Sequence, residues 1–242
     1  MDTRLNAFGQ PIGAPLPEWR TVPRPPREPI DGARCRVEPI DPARHADDLH
    51  EAFGRDSEGR SFTYLGAGPF SNRAAFDSWL QSTCLGDDPM FHAIIDRNSR
   101  KAVGVASYMR IDPANGVIEV GHINFSPMLQ RSTVATEAIF LMLRRAFDEL
   151  GYRRFEWKCD SLNAPSRRAA VRFGFTYEGL FRQAIVYRGR SRDTAWYSII
   201  DKEWPAIRSA YEVWLSPTNF DAQGQQKVAL STLMARLRGE AE

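Results

Sequence analysis

Gln130-Arg131-Ser132-Thr133-Val134-Ala135-Thr136 stands where an alternating apolar run gives way to a helical pattern. The first amides of a helix have no intrahelical acceptor, and they sit at the positive end of the helix dipole, so such a junction can hold a phosphate or pyrophosphate. Arg131 adds a cation there, and Ser132 and Thr133 add hydroxyls. Glycine is usual in phosphate-binding turns because it permits φ > 0 and close ligand approach, yet this stretch has none. Thr133 must therefore take a helical φ, or the turn must bind more loosely.

The remaining chemistry-bearing residue types give little by themselves. No pair among His45, His50, His92 and His122 has metal-ligand spacing. The three cysteines, Cys35, Cys84 and Cys159, are far apart and odd in number, which fits buried thiols in a reducing compartment. Lys and Arg (32) nearly balance Asp and Glu (30), so neither nucleic acid nor an anionic membrane is expected as the main partner. The basic runs Arg144-Arg145, Arg153-Arg154, Arg167-Arg168 and 188–193 are expected to be solvated faces, some of them meeting a phosphate or an acidic acceptor. There is no signal-peptide pattern, and no apolar stretch approaches the roughly 20 residues that span a bilayer, so a cytoplasmic location is expected.

The elements that must position these residues follow from periodicity. Residues 1–32 hold seven of the 16 prolines and read as an extended arm packed on the surface; a lid on a binding site is the alternative, with Trp19 as the aromatic that would anchor it in a groove. A strand at 34–40, a helix capped by Asp41 and a second helix from near Ser71 come next. Strands at 90–96, 101–111 and 116–125 form an antiparallel meander. Apolar residues from Ala135 to Leu150 make a helical stripe ended by Gly151; a strand at 153–160, a short helix at 164–173 and strands at 175–187 and 193–200 complete the order. The expected fold is a mixed α/β sheet of about seven strands, mostly antiparallel, flanked by helices, with one parallel pair formed by the crossover across 116–160. Residues 33–201 form the domain, and 202–242 a helical extension that serves packing or a homodimer contact.

On these elements three motifs occur in order. "LQRSTVATEA" resembles the acyl-CoA loop of the GNAT superfamily of acetyl-CoA dependent N-acetyltransferases, with Thr133 in a glycine position. "NAPSRRAAVRFGF" resembles that family's asparagine, short helix and Gly-Phe, matched by Asn163, Ser166, Gly174 and Phe175, and "YEGLFRQ" its following Glu-Gly segment, as in ribosomal-protein and spermidine acetyltransferases. The resemblance implies acetyl-CoA as cosubstrate, no metal, and direct transfer to a primary amine. It implies that the loop 130–136 meets the pyrophosphate and that Ile123, Asn124 and Phe125 pair with the pantetheine arm. It further implies that Asn163 contacts CoA and that Ser166 protonates or hydrogen-bonds the departing thiolate, because the usual tyrosine position is Ala170. Glu119, and after it His122, are the candidate bases; strand alternation sets them on opposite faces unless a bulge intervenes. Two alternatives stay open: a CoA-binding protein without catalysis, and a nucleic-acid-binding module built on the arginine clusters.

Overall fold

The computed structural model describes residues 4–239. Two short strands, β1 (Arg4–Leu5) and β2 (Pro11–Ile12), form a small ribbon in the arm. The main sheet comprises β3 (Ile30–Asp31), β4 (Cys35–Pro39), β5 (Met90–Asp96), β6 (Ala102–Asp112), β7 (Val117–Phe125), β8 (Arg154–Asp160), β9 (Thr176–Tyr187) and β10 (Arg190–Ile200). It has eight strands in the order β3-β4-β5-β6-β7-β8-β10-β9, one more than expected, because Ile30–Asp31 of the arm pairs with Val37 and Arg36. Only β7 and β8 are parallel. α3 (Thr133–Arg144), extended by a π turn over Arg145–Glu149, makes the crossover between them.

Local chemistry starts and stops the helices. Asp41 caps α1 (Pro42–Gly54) by accepting from the Ala43 amide, and Asn72 caps α2 (Arg73–Thr83) by accepting from Ala75. Asn163 caps α4 (Ala164–Arg172) in the same way, accepting from Ser166, and Gly174 follows it with φ of 96°, a value that favours glycine. α5 (Trp204–Leu215) and α6 (Leu230–Leu237) follow the sheet.

Alternation along the strands separates two faces. Ile118, Val120, Phe155, Trp157, Ala195, Tyr197 and Ile199 join α3 and α5 in the larger core. α1 and α2 cover the other face only over β5 and β6, through Leu49, Phe53, Phe76, Leu80, Phe91 and Val105. Where that face passes onto β7 and β8 it becomes polar, carrying Glu119, Glu156 and Lys158.

Both extensions pack onto this body. Trp19 donates from Nε1 to the Ala114 carbonyl (2.9 Å) beneath the Arg153 guanidinium, and a side chain at Gly116 would collide with its ring. Arg145 continues the attachment by donating to the carbonyls of Glu28 and Pro29. Trp19 thus lies where β7 and β8 begin. In the tail, Trp204 stacks on Phe147 and Tyr211 on Phe140, each with ring centroids 5.2 Å apart. Leu230 and Met234 of α6 are buried in the same core, so the amphipathic faces of the tail are turned inward.

Candidate acyl-donor and acceptor site

β7 and β8 pair from Val117↔Arg154 to Val120↔Trp157 and then part, although β7 continues to Phe125 and β8 to Asp160. A bulge explains the divergence. Ser107 pairs with Gly121 but Val105 with Asn124, so His122 and Ile123 together oppose Ala106, and His122 takes φ of 49°. An extra residue bends and twists a strand, here away from β8. Ser126 donates its amide to Val103 on β6, so alternation turns Phe125 and Ile123 toward the open edge. The Phe125 carbonyl there already accepts from Gln130 Nε2 (2.8 Å). Asn124 faces the α1–α2 side with Val105; it is 4% exposed, and its Oδ1 has no hydrogen bond among the described residues.

Beyond β7 the turn closes without glycine. Leu129 and Gln130 donate their amides to the Ser126 carbonyl, and Ser132 donates both amide and hydroxyl to Leu129. Ser132 Oγ in turn accepts from the Ala135 amide (3.0 Å) and caps α3. The left-handed residue is Arg131, with φ of 58°, while Thr133 is the first helical residue and needs no positive φ. Amides of Gln130, Ser132 and Ala135 are therefore used inside the turn, which leaves those of Arg131, Thr133 and Val134 without acceptors among the described residues. Three such N–H groups and the Arg131 side chain at a helix start suit a pyrophosphate. Thr136 lies a turn further in, where its Oγ1 accepts from Arg172 Nη1 (3.1 Å).

On the core face of the parting strands, Ser166 Oγ accepts from Trp157 Nε1 (3.0 Å). That bond leaves the hydroxyl proton of Ser166 to donate, and Cys159 is within its reach. Burial pushes the Cys159 thiol up, so it is not a ready nucleophile. Ala170 is fully buried, and no larger proton donor occupies its place. Asn163 keeps its capping bond to the Ser166 amide, fixing the start of α4 next to β8.

Glu119 and His122 share the opposite face, because the bulge resets the alternation that separates residues three apart. His122 packs its ring 4.9 Å from Phe91, on the α1–α2 side. Protein crowds the back of that ring, and this desolvation, aided by the Arg110 charge, lowers its pKa below the ordinary imidazole value of 6.5. Glu119 Oε2 meets Arg110 (2.6 Å) and Lys158 (3.0 Å), while Oε1 carries no hydrogen bond among the described residues. Lys158 also meets Glu156 (2.6 Å) and lies 3.9 Å from the Trp196 ring centroid; Arg154 continues the row from Glu156 to Glu178. Sequence reasoning passed over Lys158 and Arg172. The one available signal for Lys158 was its place two residues after Glu156 on an alternating strand.

A family model described as an acetyltransferase (GNAT) domain matches residues 34–176, more than half of the chain. The chain belongs to the GNAT acetyltransferase family. It is 48% identical to a GCN5-related N-acetyltransferase from Brucella melitensis, with a TM-score of 0.89 over 90% of this chain and 99% of that one. Among curated relatives, the ribosomal-protein-serine acetyltransferase of Escherichia coli is 30% identical over 102 residues, 42% of this chain and 56% of that protein. An uncharacterised N-acetyltransferase of Bacillus subtilis, YnaD, is 31% identical over 86 residues, 36% of this chain and 50% of that protein. The chain thus spans about half the length of these two curated relatives. A microcin C7 self-immunity acetyltransferase, MccE, solved with acetyl-CoA and AMP, shares the fold at 22% identity and a TM-score of 0.61, over 70% of this chain and 93% of that one. In this GNAT protein the parted strands, the uncapped amides before α3 and the α4 motif occupy one continuous region, and acetyl-CoA is the donor this family uses.

Proposed function

We propose that the protein transfers the acetyl group of acetyl-CoA to a primary amine by direct attack, with no acyl-enzyme. The observation that carries this reading is the parting of β7 from β8 next to three free amides at the start of α3. Those amides and Arg131 hold the pyrophosphate, and the open β7 edge at Ile123 and Phe125 pairs with the pantetheine arm. For the Phe125 carbonyl, that pairing requires Gln130 to swing aside. Asn163 and Ser166 on the core face then stand beside the sulfur, and Glu119 and His122 on the other face stand beside the incoming amine. The two faces of the gap thereby separate donor from acceptor.

Acetyl-CoA supplies an activated carbonyl and a thiolate leaving group. Attack by a neutral amine forms the C–N bond and breaks the C–S bond; the amine proton leaves through the base, and the thiolate takes a proton. Neutral His122, or the free Oε1 of Glu119 acting through water, supports the first proton transfer. The Ser166 hydroxyl supports the second by donating a hydrogen bond to the developing thiolate. Calorimetry with acetyl-CoA, followed by thiol release in a panel of peptide α-amines, polyamines and aminoglycosides, tests the reading; no binding at millimolar acetyl-CoA contradicts it.

Two substitutions examine the roles. Ser166→Ala should lower kcat about 100-fold, the low end for one general acid–base group, and leave acetyl-CoA affinity unchanged. An unchanged kcat removes Ser166 from the reaction. For His122 the sign is fixed by its surroundings: burial and Arg110 both disfavour the imidazolium, so the ring stays neutral, and able to accept a proton, to a lower pH than free imidazole. The kcat profile should therefore carry an acid inflection below 6.5 that His122→Asn abolishes. An inflection that survives in the variant belongs to another group.

A further inference from the structure

Asn124 is a buried amide whose oxygen has no donor. The side chain is 4% exposed, and Oδ1 is sealed from solvent without a hydrogen bond among the described residues. Burying a carbonyl oxygen without a donor is costly, and folded proteins rarely do so. Asn219 shows the usual arrangement: it is buried too, but it donates to the Trp214 and Val228 carbonyls and accepts from the Val228 amide. A β-branched apolar side chain would suit position 124 without that cost, since the neighbours across the sheet, Val105 and Ala93, are apolar. What the site lacks is a donor from outside the chain.

Its place in the fold points to the ligand that could bring one. Val105 and Ala93 lie under α1 and α2, and the short turn Arg60–Phe62 packs on β7 with Phe62 in the same cluster. His122, two residues before Asn124, lies against Phe91 on that side, and Phe91 meets Trp79 at 5.9 Å. Both side chains therefore belong to the face opposite Ser166, beyond Val120, where β8 no longer runs beside β7. The β7 backbone edge is left for the pantetheine arm, and the Asn124 side chain stands perpendicular to that edge. Residues two apart on one face of a strand are about 7 Å from each other, more than two hydrogen bonds of about 2.9 Å span. Asn124 and a base at His122, or at Glu119 further back, thus meet different atoms of one molecule.

We infer, on the reading that this face takes the amine, that Asn124 Oδ1 accepts a hydrogen bond from a second N–H or O–H group of the acceptor. The acceptor class is then an amine with a further donor a few bonds from its reactive nitrogen, and a simple alkylamine is disfavoured because it leaves the oxygen unpaired. Asn124 orients the amine in this role and leaves proton transfer to its neighbours. Binding is gained there at the expense of stability, since without the acceptor the oxygen is stranded.

Asn124→Leu in the full chain tests the assignment. Its melting temperature should equal or exceed that of wild type, since no hydrogen bond within the fold is lost and an unpaired oxygen is removed. Calorimetry should give an unchanged Kd for acetyl-CoA. In steady-state assays with spermidine, kanamycin and a short peptide beginning with serine, all of which carry further donors, the KM of those amines that are acetylated should rise about 10- to 100-fold, with kcat changing less. n-Butylamine, which has no second donor, should be a poor substrate of both proteins and to the same degree. Asn124→Ala carries the kinetic comparison if the leucine variant folds poorly. An unchanged KM for the acetylated amines would mean that Oδ1 meets only trapped water, and would overturn the assignment. An equal loss with n-butylamine would mark a general distortion and overturn it too. Wild-type protein that binds acetyl-CoA and acetylates none of these amines contradicts the proposed transfer itself, and this role with it, a result distinct from an unchanged KM.

Discussion

Thr133→Pro should weaken acetyl-CoA binding by about 10- to 100-fold, the value of one hydrogen bond to a charged group, and leave the melting temperature almost unchanged. Thr133 is the first residue of α3, where proline is well tolerated because its missing N–H had no intrahelical acceptor. Proline also restricts the residue before it to extended backbone, and Ser132 is already there, with φ of −99° and ψ of 161°. The Ser132 cap on Ala135 survives, so the substitution deletes one amide and little else. Thr133→Ala keeps that amide and should bind nearly as wild type. Calorimetry alongside a thermal melt separates the outcomes: Thr133→Pro binding within twofold of wild type would show that this amide does not touch the ligand.

The largest effect on stability is expected at Lys158. Its ammonium bridges Glu119 and Glu156 in a site where all three side chains are less than 10% exposed. Lys158→Met keeps the chain length and its contact with Trp196, but it leaves two buried carboxylates with only Arg110 and Arg154 to compensate them. Removing one member of a buried ion network costs about 3–5 kcal/mol, and the surviving arginines put this case near the lower figure. For a chain of this size that is a fall in melting temperature of roughly 10 °C. Adding Glu156→Gln should recover part of the loss, since one of the two stranded charges disappears. A single variant that melts within 2 °C of wild type would mean that the network contributes nothing to the fold.

Much of the fold was legible because it is local. Period-two runs gave β5, β6 and β7 almost to the residue, and the apolar stripe ended by Gly151 marked α3 with its π turn. Asp41 announced α1 as its cap. Contacts set by distant register were not legible. β3 is only two residues long and owes its place to pairing with β4. The His122 bulge hides in a run that alternates normally, yet it parts β7 from β8 and moves Glu119 and His122 to one face. Lys158 becomes a bridge only once β7 lies beside β8, with β10 bringing Trp196. Likewise, knowing which amides of 130–135 remain free required knowing that the Ser126 and Leu129 carbonyls accept from the rest. The missing glycine illustrates the point: the left-handed position fell on Arg131, and a pair of serine-mediated bonds closed the turn at Thr133.

A titration of acetyl-CoA into the isotopically labelled protein, followed at every backbone amide by NMR, bears most directly on the central claim. The amides of Arg131, Thr133 and Val134 should move far downfield as they acquire phosphate acceptors, while those of Ser132 and Ala135, already bonded within the turn, move much less. Saturating shifts confined to other surfaces, with Thr133 and Val134 unmoved, would contradict a pyrophosphate cradle at the start of α3.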